Sequence, residues 1–363
     1  MLQPKIIWSL HRPYQKPLKS IKWVCKFVSL KRNTKIKPST FYYEFFFYFI
    51  SQLKKEYLKS TIVVDRDGVP SKETIFSIVE FFSKIEKTKK EEKLKQILLN
   101  REIEIDRKIY STYKAISYYI NLAKEKLEFI DEKYSLTDSG ERIINVRSSF
   151  FELNKEEKLI IFEKLFAADA LMLISKCFGE RLLSKNKVFI SNLHIKFIED
   201  VYQVTYFKYT QSSLISNYDN VRSNWIEQLN ILDSFSRIRK SYLKIILDNQ
   251  LYTQEYNDIE QKFLKYSKEI LHDDNKNHKL MKEFNQTYKS CLKKNIDDLG
   301  FVNLHSIRSE MKMGIQRFEK LLVDYYELNR RKEMILFSNT VSSIDKGQRF
   351  YVKDKPVIKI KII

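Results

Sequence analysis

Glycine and proline are scarce, six of each in 363 residues. Sandwiches and barrels reverse direction often and draw on both residues for their turns, so the scarcity argues against an all-β fold. Cysteine is scarcer still. Cys25, Cys177 and Cys291 stand far apart and no CxxC pair occurs. A zinc site of ordinary spacing and a disulfide framework are both unsupported, which suits a reducing, cytoplasmic location. Long apolar runs are missing too. A membrane-spanning helix needs about 20 apolar residues, whereas the longest stretch, Phe41 to Ile50, contains Glu44 and runs into Lys54 and Lys55. A core helix is expected there, and no membrane span.

Catalytic signatures are also lacking. No Gly-rich loop follows a strand, and neither GxSxG nor HExxH occurs. His272, Asp273, Asp274 and His278 read as a polar loop between helices rather than a metal site. Glu199-Asp200, or Asp65 with Asp67 and Glu73, are the closest approach to a nuclease carboxylate cluster, but no strand pattern holds either set rigid. Asp65 to Gly68 is more simply a turn within the strand-like run 61–68. The sequence therefore calls for no catalytic residue, no metal and no cofactor.

What is abundant is positive charge: 66 Lys and Arg against 46 Asp and Glu, a formal net charge of +20. Such an excess attracts polyanions. AT-rich coding explains Lys over Arg and the many Ile, Asn, Tyr and Phe, but not Lys over Glu. Residues 1–37 carry ten Lys and Arg and no acid. There Lys16, Lys19, Lys22 and Lys26 interleave with Trp8, Tyr14, Trp23 and Phe27, a pattern that suits backbone clamping with base stacking. A hairpin or arm packed onto the rest by its aromatics fits the same residues. Prolines, with little Ser or Arg, speak against a transit peptide.

The periodicity predicts a mainly α protein. Helices are expected over 39–59 and from Pro70-Ser71, where Ile75, Ile78, Val79 and Phe82 share a face. The Lys/Glu-dense stretch 84–96 reads as a solvated helical face. Another helix is expected from Ser111 through Phe129, with Ile116, Ile120, Ala123, Leu127 and Ile130 inward and Lys114, Ser117, Tyr118, Asn121 and Lys124 outward. From an Asn154 cap, long amphipathic helices follow, including 222–248 and 254–271, with no repeat of fixed period. Four segments result: a basic arm and aromatic helix (1–60), a helical region (61–150), a helical bundle or spacer (151–300) and a C-terminal module (301–363).

In the last segment Leu304, Ile307 and Met311 mark a short helix and Met313-Gly314 a break. Ile315, Phe318, Leu321, Leu322 and Tyr325 mark a second helix, followed by strands at 334–337, 349–353 and 357–362 around a polar turn from Ser342 to Gly347. This order resembles the winged helix-turn-helix superfamily. The resemblance implies that Gln316, Arg317 and Lys320 face the DNA major groove while Lys346 and Arg349 lie on the wing. The upstream run YSLTDSG at Tyr134–Gly140 resembles the end of many prokaryotic winged-helix domains, which implies a second module over 85–145. There NREIEIDRKIY, at 100–110, is not an evident lead-in. The fold class expected is thus a helical bundle with two winged-helix-like modules carrying short β-hairpins. The expected partner is nucleic acid, duplex DNA above all. Two other readings stay open. One is a scaffold subunit of a multiprotein assembly, related to genome defence or a mobile element, whose winged helices dock proteins. The other is a membrane-surface protein acting through residues 1–50.

Overall fold

The computed structural model of the protein describes residues 6–7, 10, 14, 18–32, 37–59, 69–186, 193–203, 220–294, 297, 299–329, 334–338, 349–352 and 355–363, apart from the side chains of 183–186, 271–278 and 327–328. It is mainly helical with a few short antiparallel strands. Two compact units divide the chain at Leu264/Lys265. Among the described residues no helix is long and apolar enough to cross a membrane.

In the first unit, α1 (Lys19–Leu30) and α2 (Pro38–Lys59) carry the aromatic load inward. Tyr14, Trp23, Phe27, Phe41, Phe45, Phe46 and Phe49 are all buried, each large apolar side chain contributing roughly 1.5–3 kcal/mol. The Trp23 indole N–H donates to the Phe150 carbonyl at 2.7 Å and stacks on Phe150 with ring centroids 5.0 Å apart. The helix α3 (Lys72–Ser83) starts at the Ser71 cap, whose hydroxyl accepts the Thr74 N–H. A 3-10 turn at Lys87–Lys89 leads into α4 (Lys90–Asn100). A three-residue connection follows, with Arg101 left-handed (φ 46°), and then α5 (Glu104–Asn121), which ends in a π turn at Leu122–Lys126. The expected start at Ser111 is therefore too late. Asp106, whose carboxylate accepts the Ile103 N–H, pins the start a full two turns earlier. All five apolar residues expected to face inward from this region are buried.

After α6 (Asp138–Asn145) comes α7 (Lys155–Asn186). Its entry is a reciprocal cap: Asn154 Oδ1 accepts the Glu157 N–H at 2.9 Å and Glu157 accepts the Asn154 N–H at 2.8 Å. Asp169 breaks α7 with φ −146° and ψ 28°. Its carboxylate takes two guanidinium bonds from Arg222, at 2.6 and 2.7 Å, and the Ile7 N–H at 2.8 Å, while Arg222 also donates to the Ile7 carbonyl. Both side chains are fully buried. The unit continues with α8 (Leu193–Tyr202), α9 (Asn220–Leu229), α10 (Lys240–Leu247) and the start of α11 (Gln250–Lys294). Residues 272–278 lie within α11, so the loop expected there is helix.

The apolar spacing over 222–248 suggests one helix, yet the chain breaks it with a turn, and that turn is a repeat. The backbone scheme of segment 127–145 recurs position for position at 229–247, although most side chains differ. Asp131 Oδ1 accepts the N–H groups of Lys133 and Ser135 at 2.9 and 2.7 Å; Asp233 Oδ1 accepts those of Phe235 and Arg237 at 2.8 and 2.9 Å. The Asp131 N–H donates to the Ser135 carbonyl, and the Asp233 N–H to that of Arg237. The third residue on is left-handed in each, Tyr134 at φ 58° and Ser236 at φ 55°. Single bridges close them, Ile130 with Leu136 and Leu232 with Ile238, and a helix follows. A short carboxylate that satisfies backbone donors makes the turn without glycine. Asp297 builds the turn a third time, accepting from Leu299 and Phe301 with Gly300 at φ 82°. Thr137 and Asn303 cap the helices after the first and third turns, whereas the second has Arg239, which offers no acceptor.

The second unit holds the end of α11, β1 (Val302–Asn303), α12 (Leu304–Glu310), α13 (Ile315–Asn329), β2 (Ile335–Ser338), β3 (Phe350–Val352), β4 (Lys355–Val357) and β5 (Lys359–Ile362). The sheet order is β1-β5-β2, all antiparallel, with Val302 and Phe337 both opposite Ile360. A separate hairpin pairs β3 with β4. One core joins Met281, Phe284 and Tyr288 of α11 to Ile307, Phe318, Leu322, Phe350 and Ile360. The strand β1 is too short to leave a period in the sequence. The residues 61–68 and 342–347 lie outside the described residues.

Candidate nucleic-acid interface

The end of α12 and the start of α13 are joined by four residues, Met311 to Gly314. The break comes from Lys312, left-handed at φ 51°, and not from Gly314, where an added Cβ would meet nothing within 4 Å. Helix α13 buries Phe318, Leu321, Leu322 and Tyr325. The 3.6-residue period then turns Gln316, Arg317 and Lys320 out, and all three are exposed. Glu319, an acid on the same helix, is drawn aside: it accepts the Tyr351 N–H at 3.0 Å, which ties the β3–β4 hairpin to α13. Phe350 completes the joint, edge-on to Phe318 with centroids 5.2 Å apart. Arg349 and Lys355 are exposed on that hairpin. Lys346 lies outside the described residues. The sequence reading missed Lys355 because it placed residues 354–356 in the break between two strands, whereas Lys355 opens β4.

The upstream set is differently placed. Lys114 is exposed on α5, and Ser117 donates to the Lys114 carbonyl at 2.7 Å. Tyr118 sits edge-on to the buried Tyr14, 5.3 Å between centroids. The Asn121 carboxamide oxygen accepts the Tyr42 hydroxyl at 3.0 Å. Lys124 is only 13% exposed, bonded to Glu132 at 2.6 Å and lying 4.9 Å from the Tyr134 ring centroid. The bond to Glu132 holds its ammonium above the usual lysine range despite desolvation. The five residues therefore share a helix without forming an open cationic face.

The N-terminal set needs a correction. Lys22 is fully buried, so it is no backbone clamp. Its ammonium donates to Ser148 Oγ at 2.8 Å, the Ser149 carbonyl at 2.7 Å and the Glu152 carbonyl, with Glu157 at 3.2 Å. Burial pulls it down to about 8, with Glu157 opposing. The cation belongs inside because four acceptors converge there, which its place in a basic run does not reveal. Lys19 is half-buried on α1, and Lys16 lies outside the described residues. With Trp23 and Phe27 also in the core, residues 19–30 are a packed helix rather than a basic arm.

Sequence reasoning also passed over the cations of the Asp233 turn. Arg237, Lys240 and Lys244 are exposed, in a stretch, 234–247, that holds no acid. That acid-free run was the available signal. Among the described residues no three His, Cys, Asp or Glu side chains gather as metal ligands. Glu199 is pushed above the usual carboxylate range by burial and by neighbouring Asp200, and among the described residues no third ligand joins them to form a centre. Comparison with protein-family models, with curated proteins and with solved structures gives no match.

Proposed function

We propose that the protein binds nucleic acid without catalysing a reaction, that its partner is duplex DNA, and that the second unit acts as a winged helix-turn-helix. The observation that carries this reading is the two-faced α13. Its apolar side is locked into the core while Gln316, Arg317 and Lys320 project from its N-terminal half. An α-helix fits the major groove, and side chains near its N-terminus reach base edges and phosphates. The antiparallel order β1-β5-β2, with a hairpin bearing Arg349 and Lys355, supports a wing beside the helix. The net charge of +20 supplies the long-range attraction.

The upstream helices α4 and α5, joined by three residues, have helix-turn-helix order as well. Of their outward residues, Asn121, Tyr118 and Lys124 are engaged by Tyr42, Tyr14 and Glu132, which weighs against DNA contact by that module.

The test is affinity for a labelled mixed-sequence duplex, measured across salt with the full chain and with Arg317→Glu/Lys320→Glu. Each phosphate contact contributes about 0.9 to the slope of log K against log salt, so the double variant loses about 1.8 as well as affinity. Equal affinity and slope in the two proteins would overturn the reading.

A further inference from the structure

The Asp131 and Asp233 turns share one backbone and one hydrogen-bond scheme but carry opposite charge. Segment 127–145 has five acids, Glu128, Asp131, Glu132, Asp138 and Glu141, against Lys133 and Arg142. Segment 229–247 has one acid, Asp233, against Arg237, Arg239, Lys240 and Lys244. That one acid is consumed by the turn: it accepts two backbone N–H groups, and its other oxygen takes the Arg237 Nε at 3.1 Å. Arg239 is fastened to the turn through the Leu232 carbonyl and Asn230. Lys240 and Lys244 are exposed on the first turns of α10. A shared fold explains none of this difference, because the turn closes equally well with either charge.

The tips differ too. Where the first turn has Lys133, the second has Phe235, 68% exposed on a backbone clamped on both sides. The Arg237 guanidinium lies 4.9 Å from its ring centroid. A large aromatic held out in water by a rigid turn gains nothing from folding. It gains from a flat apolar partner next to anions, and a nucleic-acid backbone with its base steps is such a surface.

We infer that the Asp233 turn is a separate DNA contact, in which Lys240, Lys244 and Arg237 hold backbone phosphates and Phe235 packs against a base step. The inference shares its partner class with the function proposed above but none of its residues. The Asp131 turn, acidic and tipped by Lys133, is the same device without that contact.

The full chain and three variants, Lys240→Gln/Lys244→Gln, Phe235→Ala and Lys133→Ala, are titrated with a fluorescein-labelled mixed-sequence DNA duplex between about 50 and 200 mM salt. Circular dichroism checks that each is folded. The double lysine variant is expected to bind more weakly, with the salt slope reduced by about 1.8. Phe235→Ala is expected to lose on the order of tenfold in affinity with the slope unchanged. Lys133→Ala is expected to match the parent chain. Parent-like binding by the first two variants overturns this inference alone, and would leave Phe235 to a protein partner. Loss in them with Arg317→Glu/Lys320→Glu unaffected upholds it and overturns the C-terminal reading instead. A parent chain that binds no duplex at all overturns both.

Discussion

Replacing Arg222 by Met removes a charge from the core at similar volume, and the consequence is large. The Asp169 carboxylate loses bonds of 2.6 and 2.7 Å and keeps only the Ile7 N–H, while the Ile7 carbonyl loses its donor. Breaking a buried pair from one side costs about 3–5 kcal/mol, because the remaining ion is left uncompensated. At about 2–4 °C per kcal/mol for a domain of this size, the melting midpoint should fall by roughly 6–20 °C. The pH dependence gives a sharper signature. Burial already holds the Asp169 carboxyl above its usual range, with Arg222 countering. Without the guanidinium the rise grows. Between the unfolded value of about 3.9 and the raised folded value, the native chain binds the extra proton, so the variant's stability falls as pH rises through that window. Acidifying from pH 7 to 5 should therefore narrow the gap to the parent chain. Thermal unfolding by circular dichroism at the two pH values measures both effects. A loss below about 1 kcal/mol, the size of one ordinary hydrogen bond, would refute the reasoning, as would a gap that widens on acidification.

Three further variants test other sites. Lys22→Gln should leave duplex affinity unchanged, since the side chain does not reach solvent. Because burial lowers the Lys22 ammonium from 10.5 to about 8, the unfolded chain binds more protons between those values, and this group's contribution to stability rises with pH across them. Urea unfolding should then show the parent chain gaining on Lys22→Gln from pH 7.5 to 9.5. Gly140→Ala should destabilise by about 1–3 kcal/mol or more, because its Cβ would lie 2.2 Å from the Phe129 carbonyl oxygen. Gly314→Ala, facing open space, should stay within about 0.5 kcal/mol in the same thermal assay.

Where side-chain period and burial coincide, the sequence was a sufficient guide. The inward faces of α5 and α13, the Asn154 cap and the strand at β2 all follow from spacing and local capping. The exposure of Gln316, Arg317 and Lys320 follows in the same way. The Asp233 turn does not. Apolar residues keep their three-and-four spacing straight through it, and the helix is interrupted by left-handed Asn230 and Ser236 and by Asp233, none of them a glycine or proline. Its kinship with the Asp131 turn escapes a sequence comparison because the backbone bonds recur while most side chains differ. Gly140 shows the limit of that kinship: its counterpart is Tyr242, whose hydroxyl reaches the Leu229 carbonyl, so α6 and α10 seat differently. Lys22 was unreadable for another cause. A cation's fate depends on acceptors that are remote in sequence, and Glu157 and Ser148 stand more than a hundred positions from Lys22.

The buried Asp169–Arg222 centre also sets an order of events during synthesis. Its three partners are separated by 162, 53 and 215 positions. At about 5–20 residues per second, the ribosome leaves the Asp169 carboxylate without its guanidinium for roughly 3–10 s after it is made. Ile7 waits far longer, for the 215 positions that separate it from Arg222. The segment at Ile7 therefore cannot take its final place as it emerges, and must wait until α9 exists.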